Sequence, residues 1–185
     1  MRANDLLQHA PAYQKWIDDL LVKYESSAKR VAAYGFQRLS QFFNPETLEV
    51  ARCVEVDSVP KIPWQEFGLT VPKGMDIDFE GITFRNTYFL TRKEATQESL
   101  HFHEMVHVIQ WQMLGNDLFP LVYVLEALKG SYQTNILEVI AREVAAFFVK
   151  AEEPFNTEFI IAAWIGHNLP RIFTQFIKGE LCDGG

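Results

Sequence analysis

Apolar residues recur every three or four positions from about Asn4 to Phe43. Trp16, Leu20, Tyr24, Ala28 and Val31 form one stripe, which Phe36, Leu39 and Phe43 continue, so the spacing predicts a long N-terminal helix. Pro11 sets off its first turn or two, Gly35 marks a bend, and Asn44-Pro45 ends it. From Val50 to Asp57, β-branched and polar residues nearly alternate, which reads as a strand. Pro60, Pro63, Gly68, Pro72 and Gly74 then punctuate a loop-rich stretch that leaves no room for a long helix. Gly81 to Leu90 reads as a second strand, kinked at Asn86, with Ile82, Phe84, Tyr88 and Leu90 on one face. Helical spacing returns in four pieces. One runs from a cap at Thr96 to about Leu114, with Gly115 as terminator. The others span about Leu118 to Lys129, Asn135 to Glu152, and Glu158 to Lys178, the last disturbed by Gly166 and Pro170.

The order of helix, strands and helices predicts an α+β fold. It comprises a long N-terminal helix, a small mixed or antiparallel sheet, and a helical half. No repeat or low-complexity segment interrupts it. We read 1–185 as one domain, with an N-terminal helical region (1–43), a strand and loop region (44–95) and a helical region bearing the candidate chemistry (96–185).

Composition narrows the function classes. Of 185 residues, 48% are hydrophobic and 14% aromatic, including 15 phenylalanines, which is ample for a packed core and argues against disorder. The formal charge is −7, from 17 basic and 24 acidic residues, with no basic cluster dense enough for nucleic acid. No window of about 18 consecutive apolar residues predicts a membrane span. The N-terminal segment, with Asp5, Asp18 and Asp19, lacks the apolar stretch of a secretory signal, so the expected location is cytoplasmic, with signal-less export as the alternative. The two cysteines, Cys53 and Cys182, do not make a disulfide framework.

The most informative stretch is His103-Glu104-Met105-Val106-His107, which reads H-E-x-x-H within a helical segment. Two imidazoles four residues apart leave one helix face one turn apart and can hold one metal ion. The intervening Glu104 is then placed to take a proton from an activated water. Leu100, Phe102, Met105, Val106, Val108, Ile109 and Trp111 make the segment apolar nearly all round, which predicts a buried helix whose polar groups need partners. A third ligand is required. Glu138, in Asn135-Ile136-Leu137-Glu138, is the preferred candidate, although it also fits a capping pair with Asn135. Glu143 competes, and being five positions from Glu138 it faces elsewhere on a helix. His101 is two positions from His103 and is read as a non-ligand. His9 and His167 are read as structural or solvent-facing. Tyr132 is a loop tether or, alternatively, an oxyanion donor. The aromatic set Trp16, Phe36, Phe42 and Phe43 is core or docking surface.

The segment from about Ile82 to Glu143 resembles the gluzincins, zinc metallopeptidases whose third ligand is a glutamate on a helix downstream of H-E-x-x-H. It is most similar to small bacterial gluzincin-like proteins. The resemblance rests on Arg85-Asn86-Thr87-Tyr88-Phe89-Leu90, on His103-Glu104-Met105-Val106-His107-Val108-Ile109-Gln110 and on Asn135-Ile136-Leu137-Glu138, and covers roughly a third of the chain. It implies Zn²⁺ held by His103, His107 and Glu138, with Glu104 as general base in peptide-bond hydrolysis. It also implies that the strand Ile82 to Leu90 offers an edge to an extended peptide or protein substrate. The family often carries an acidic residue four positions after the glutamate ligand; here that position is Arg142, and Glu143 or another residue would orient an imidazole instead. Two other readings stand beside the peptidase. In one, zinc only braces a non-catalytic domain through a closed site that includes His101 or Glu143. In the other, the N-terminal helix docks a partner, self-associates or covers the cleft.

Overall fold

The computed structural model describes residues 3–72 and 74–177. Its elements are α1 (Ala3–Tyr24), β1 (Lys29–Arg30), α2 (Pro45–Val50), β2 (Arg52–Val56), β3 (Gly81–Phe84), β4 (Thr87–Thr91), α3 (Glu98–Lys129), α4 (Ile136–Lys150) and α5 (Thr157–Ile177), joined in part by short 3₁₀ turns. The fold is α+β, and its sheet is mixed. The strand order is β1-β2-β4-β3, with β2 and β4 parallel and the two outer pairings antiparallel.

The sheet separates two packed layers because its strands alternate. Cys53, Tyr88 and Leu90 point to one face and pack with Phe102, Met105, Val106 and Ile109 of α3. Val54, Val56, Phe84 and Phe89 point to the other and pack with Ile17 of α1. The Trp16 ring lies 5.2 Å from Phe84 and the Tyr24 ring 5.2 Å from Phe89, both edge-on, so α1 covers this second face. As the all-round apolar pattern requires, Phe102, Met105, Val106, Val108 and Ile109 of α3 are fully buried. Among the described residues, no helix is long and apolar enough to cross a membrane.

Three expectations need correction. The N-terminal helix ends at Tyr24, not near Phe43, because residues 29–30 leave the helix to pair with β2, Lys29 opposite Cys53 and Arg30 opposite Arg52. Gly35, at φ 71°, then turns the chain by a route that excludes helix. Phe42 and Phe43 reach the core from this irregular segment. Pro11 does not divide α1, since its fixed φ suits a helix and its cost is confined to one backbone bond. Residues 81–90 are a hairpin rather than one kinked strand. Arg85 takes φ 57° in the two-residue turn Arg85-Asn86, so Tyr88 and Leu90 fall on the face opposite Ile82 and Phe84. The expected break at Gly115 is present: its φ of 74° and ψ of 178° are non-helical, and the two helical halves of α3 meet there in a kink. Gly166 and Pro170 lie inside α5. Cys53 is buried and free; Cys182 and the expected helix end at Lys178 lie outside the described residues.

Candidate metal centre

Two buried helices carry the centre. His103 and His107 leave one face of α3, their ring centroids 4.8 Å apart and their planes nearly perpendicular. Their Nε2 atoms approach to 3.2 Å. Glu138 comes from the first turn of α4, with Oε1 3.3 Å from His107 Nε2 and Oε2 3.5 Å from His103 Nε2. One donor atom from each of the three lies within 4.8 Å of the others.

The start of α4 is held where this geometry needs it. Asn135 caps the helix by accepting a hydrogen bond from Leu137 N (3.1 Å) and donates through Nδ2 to Tyr123 O (2.9 Å) on the second half of α3. The cap is thus complete without Glu138, whose carboxylate turns to the imidazoles instead of the cap. Gln110, one turn beyond His107, donates through Nε2 to Leu137 O (3.0 Å) and so ties α3 to α4. That bond orients its amide, and Oε1 faces His107 Nδ1 at 2.8 Å. An amide oxygen can only accept, so Nδ1 carries a proton, and in the neutral ring Nε2 is the nitrogen left with a lone pair on the Glu138 side.

Glu138 is surrounded by donors. Tyr123 donates to Oε1 (2.8 Å), while Arg142 approaches Oε2 at 3.6 Å and lies over the Tyr132 ring. The position where the resembling family often has an acid therefore holds a cation that touches the ligand carboxylate itself. Oε2 is buried and lacks a hydrogen-bond partner. Burial favours the neutral ring of His107, but Glu138 and Glu104 outweigh it and hold its pKa up to about 9. Burial likewise favours a protonated Glu138, but His107 and His103 keep it well below the usual carboxylate range. An ionised buried carboxylate, one of its oxygens without a hydrogen bond, and two ring nitrogens held against it, from which a cation would displace protons, form a donor set that fits a divalent cation.

Glu104 occupies the β3 side of the centre. Thr83 donates through Oγ1 to its Oε2 at 2.5 Å, and Trp111 Nε1 donates to Thr83 O at 3.2 Å, which fixes α3 against β3. Its other oxygen faces Gly81, where a methyl group would collide with both the carboxylate and Leu90. The absence of a side chain at residue 81 is thus what lets Glu104 lie along the strand. Burial raises the Glu104 pKa, opposed by His103, His107 and the Thr83 hydroxyl.

The competing candidates fall away from this cluster. Glu143 is exposed. His101 is fully buried but uses both ring nitrogens elsewhere: Nε2 donates to Ala95 O (3.0 Å), which leaves Nδ1 to accept from Tyr88 Oη (2.6 Å). His167 is exposed and His9 half-buried at the far end of α1. Tyr132 lines the cleft, its ring 5.0 Å from Phe79. Sequence reasoning missed Gln110, Tyr123, Thr83 and Gly81 as contributors. Gln110 carried a signal, since a position three beyond His107 shares its helix face; the other three depend on partners distant in the chain. Replacing Gln110 with Ala frees the His107 ring to adopt the other tautomer and should weaken Zn²⁺ binding by about 10- to 100-fold, measured by competition with a chromogenic chelator.

The centre lies on a cleft of about 580 Å³ whose walls include Trp64, Phe79, Ile82, Phe119 and Tyr123. Among the described residues, the sheet edge beside it is β3. β4 is paired on both sides by β2 and β3, so the expected edge shortens to Gly81–Phe84. Fold and centre together define an α+β protein with an H-E-x-x-H helix and a glutamate from a second helix at the floor of an aromatic cleft. No protein-family model, curated protein or solved structure matches the chain.

Proposed function

We propose that the protein is a zinc-dependent metallopeptidase of gluzincin-like design. The observation that carries this reading is the convergence of His103, His107 and Glu138 beside Glu104, at an open cleft bounded by the outer edge of β3. The three convergent residues would hold Zn²⁺. When bound, the cation supplies Lewis acidity, lowering the pKa of a water and polarising a carbonyl.

The remaining work belongs to the chain. Glu104, its basicity raised by burial, accepts a proton from the attacking water and returns it to the leaving amine. Thr83 holds that carboxylate at one oxygen and leaves the other free to exchange the proton. The β3 edge aligns an extended peptide through backbone hydrogen bonds, with the scissile carbonyl against the α3 face. Tyr132 lines the same cleft and is the candidate donor to a developing oxyanion.

A bracing zinc is the weaker reading. Such a site is closed by a fourth protein ligand, and both residues that would supply one, His101 and Glu143, are turned away. Zinc titration combined with digestion of a broad peptide library tests the proposal. The expected result is one Zn²⁺ per chain and cleavage that stops on chelation and returns on adding zinc. A protein that binds no divalent cation at this centre ends the proposal.

A further inference from the structure

The metal cleft does not end at the aromatic walls around the centre. A second chamber, of about 710 Å³, adjoins it between α1 and the kinked half of α3. Tyr13, Trp64, Pro120 and Val124 line both, so the two share a partition rather than lying on separate surfaces. Beyond the partition the second chamber is walled by Ala10, Phe67, Leu69 and Leu121, with His9 and Asp117 as its only ionisable side chains besides Tyr13. Among the described residues, neither chamber is lined by a lysine or arginine, and the carboxylates and imidazoles of the first belong to the proposed metal centre. A carboxylate of the substrate would lose water in either chamber without a lysine or arginine among the described lining residues, whereas a large apolar group loses nothing polar.

We propose that the second chamber is a distal subsite for a large apolar side chain of the substrate, so that the preferred substrate is a peptide carrying two bulky apolar residues, one beside the scissile bond and one further along the chain. This rests on the peptidase reading for the nature of the ligand. The chamber owes its existence to α1, whose Ala10 and Tyr13 form one wall while Leu121 and Val124 of α3 form the other. The N-terminal helix thereby acquires a part in substrate selection. Trp16 and Ile17 anchor it on the sheet, and Gln14, which also lines the chamber, donates to Asn116 O beside the Gly115 kink.

The test uses the full-length Glu104→Gln protein loaded with zinc, so that peptides bind without being cut. The probes are short synthetic alanine-serine peptides with one phenylalanine, with two phenylalanines at varied separation, or with the second phenylalanine replaced by glutamate. At one separation the second phenylalanine should tighten binding at least about tenfold, as expected for burying one aromatic side chain, and glutamate should remove the gain. Ala10→Phe, which fills the chamber from α1, should abolish the gain while leaving affinity for the single-phenylalanine peptide unchanged. Leu121→Trp fills it from α3 and should do the same, and thermal melts of both variants check that the fold is intact. If no separation tightens binding, if the gain survives both fillings, if glutamate is as good, or if none of the peptides binds, the distal subsite is overturned. Hydrolysis of the same peptides by the unmodified protein is read separately. Chamber-dependent binding without any cleavage would sink the peptidase reading and leave the subsite standing, while cleavage indifferent to the second phenylalanine would do the reverse.

Discussion

Glu104→Gln should lower kcat for peptide hydrolysis by about 10³-fold, within the range for losing a general acid-base group, while zinc content stays at one per chain. The geometry separates these two outcomes. Glu104 is not among the three convergent donors, so cation binding does not need its charge. Glutamine has the same shape, and its amide oxygen can still accept the Thr83 hydroxyl. The amide fits the space left by Gly81 as the carboxylate does. What it cannot do is take up a proton. Activity, zinc content and melting temperature measured on the same preparation check the prediction, and full activity in a properly loaded variant would remove Glu104 from the mechanism. Because burial raises the Glu104 pKa, the acidic limb of the pH-rate profile of the unmodified protein should lie above that of an exposed glutamate.

Saturating Zn²⁺ should raise the melting temperature by about 5–10 °C, and His107→Ala should remove that rise. A ligand that binds only the folded chain at 100 times its Kd contributes about 2.7 kcal/mol, and for a chain of this length each kcal/mol corresponds to about 2–4 °C. His107 is the donor with most to lose. It is buried, its Nδ1 is fixed by Gln110, and its Nε2 lies within 3.5 Å of both other donor groups. Alanine leaves His103 and Glu138 on separate helices with no bridging imidazole. Differential scanning fluorimetry with zinc and with chelator reads both halves of the prediction. An unchanged zinc-induced shift in the variant would mean that the cation sits elsewhere.

Much of this arrangement was legible in the chain, and periodicity explains which parts. The α3 segment is apolar on all sides apart from its site residues, and a helix of that kind has to lie in the core. The i, i+4 spacing then places His103 and His107 together whatever packs around them. Glu138 was distinguishable from Glu143 because Leu137, Val139 and Ile140 give its surroundings apolar bulk. Two apparent periodicities misled. The stripe from Trp16 to Val31 runs on through Ala28, yet Ala28 is extended, because pairing Lys29 and Arg30 with β2 satisfies their backbone in the sheet instead. Gly81 to Leu90 contains no Asn-Gly or Asp-Gly, and the hairpin turns instead at Arg85, a residue with no intrinsic preference for positive φ. That turn is stabilised from afar by Arg85 bonds to Asp18 and Gln14 on α1.

By itself, the sequence determined the α+β class, the buried H-E-x-x-H helix and the pairing of His103 with His107, and it favoured Glu138 over Glu143 as the third residue. These depend on spacing within one helix or on a cap such as Asn135, and local geometry transmits them directly. Tertiary structure alone decided that Gln110 sets the His107 tautomer, that Tyr123 and Arg142 bear on Glu138, that Gly81 makes room for Glu104, and that α1 walls a second chamber. Each of these depends on which surfaces of distant elements meet. A linear pattern records which face of an element is apolar, but not what will lie against it.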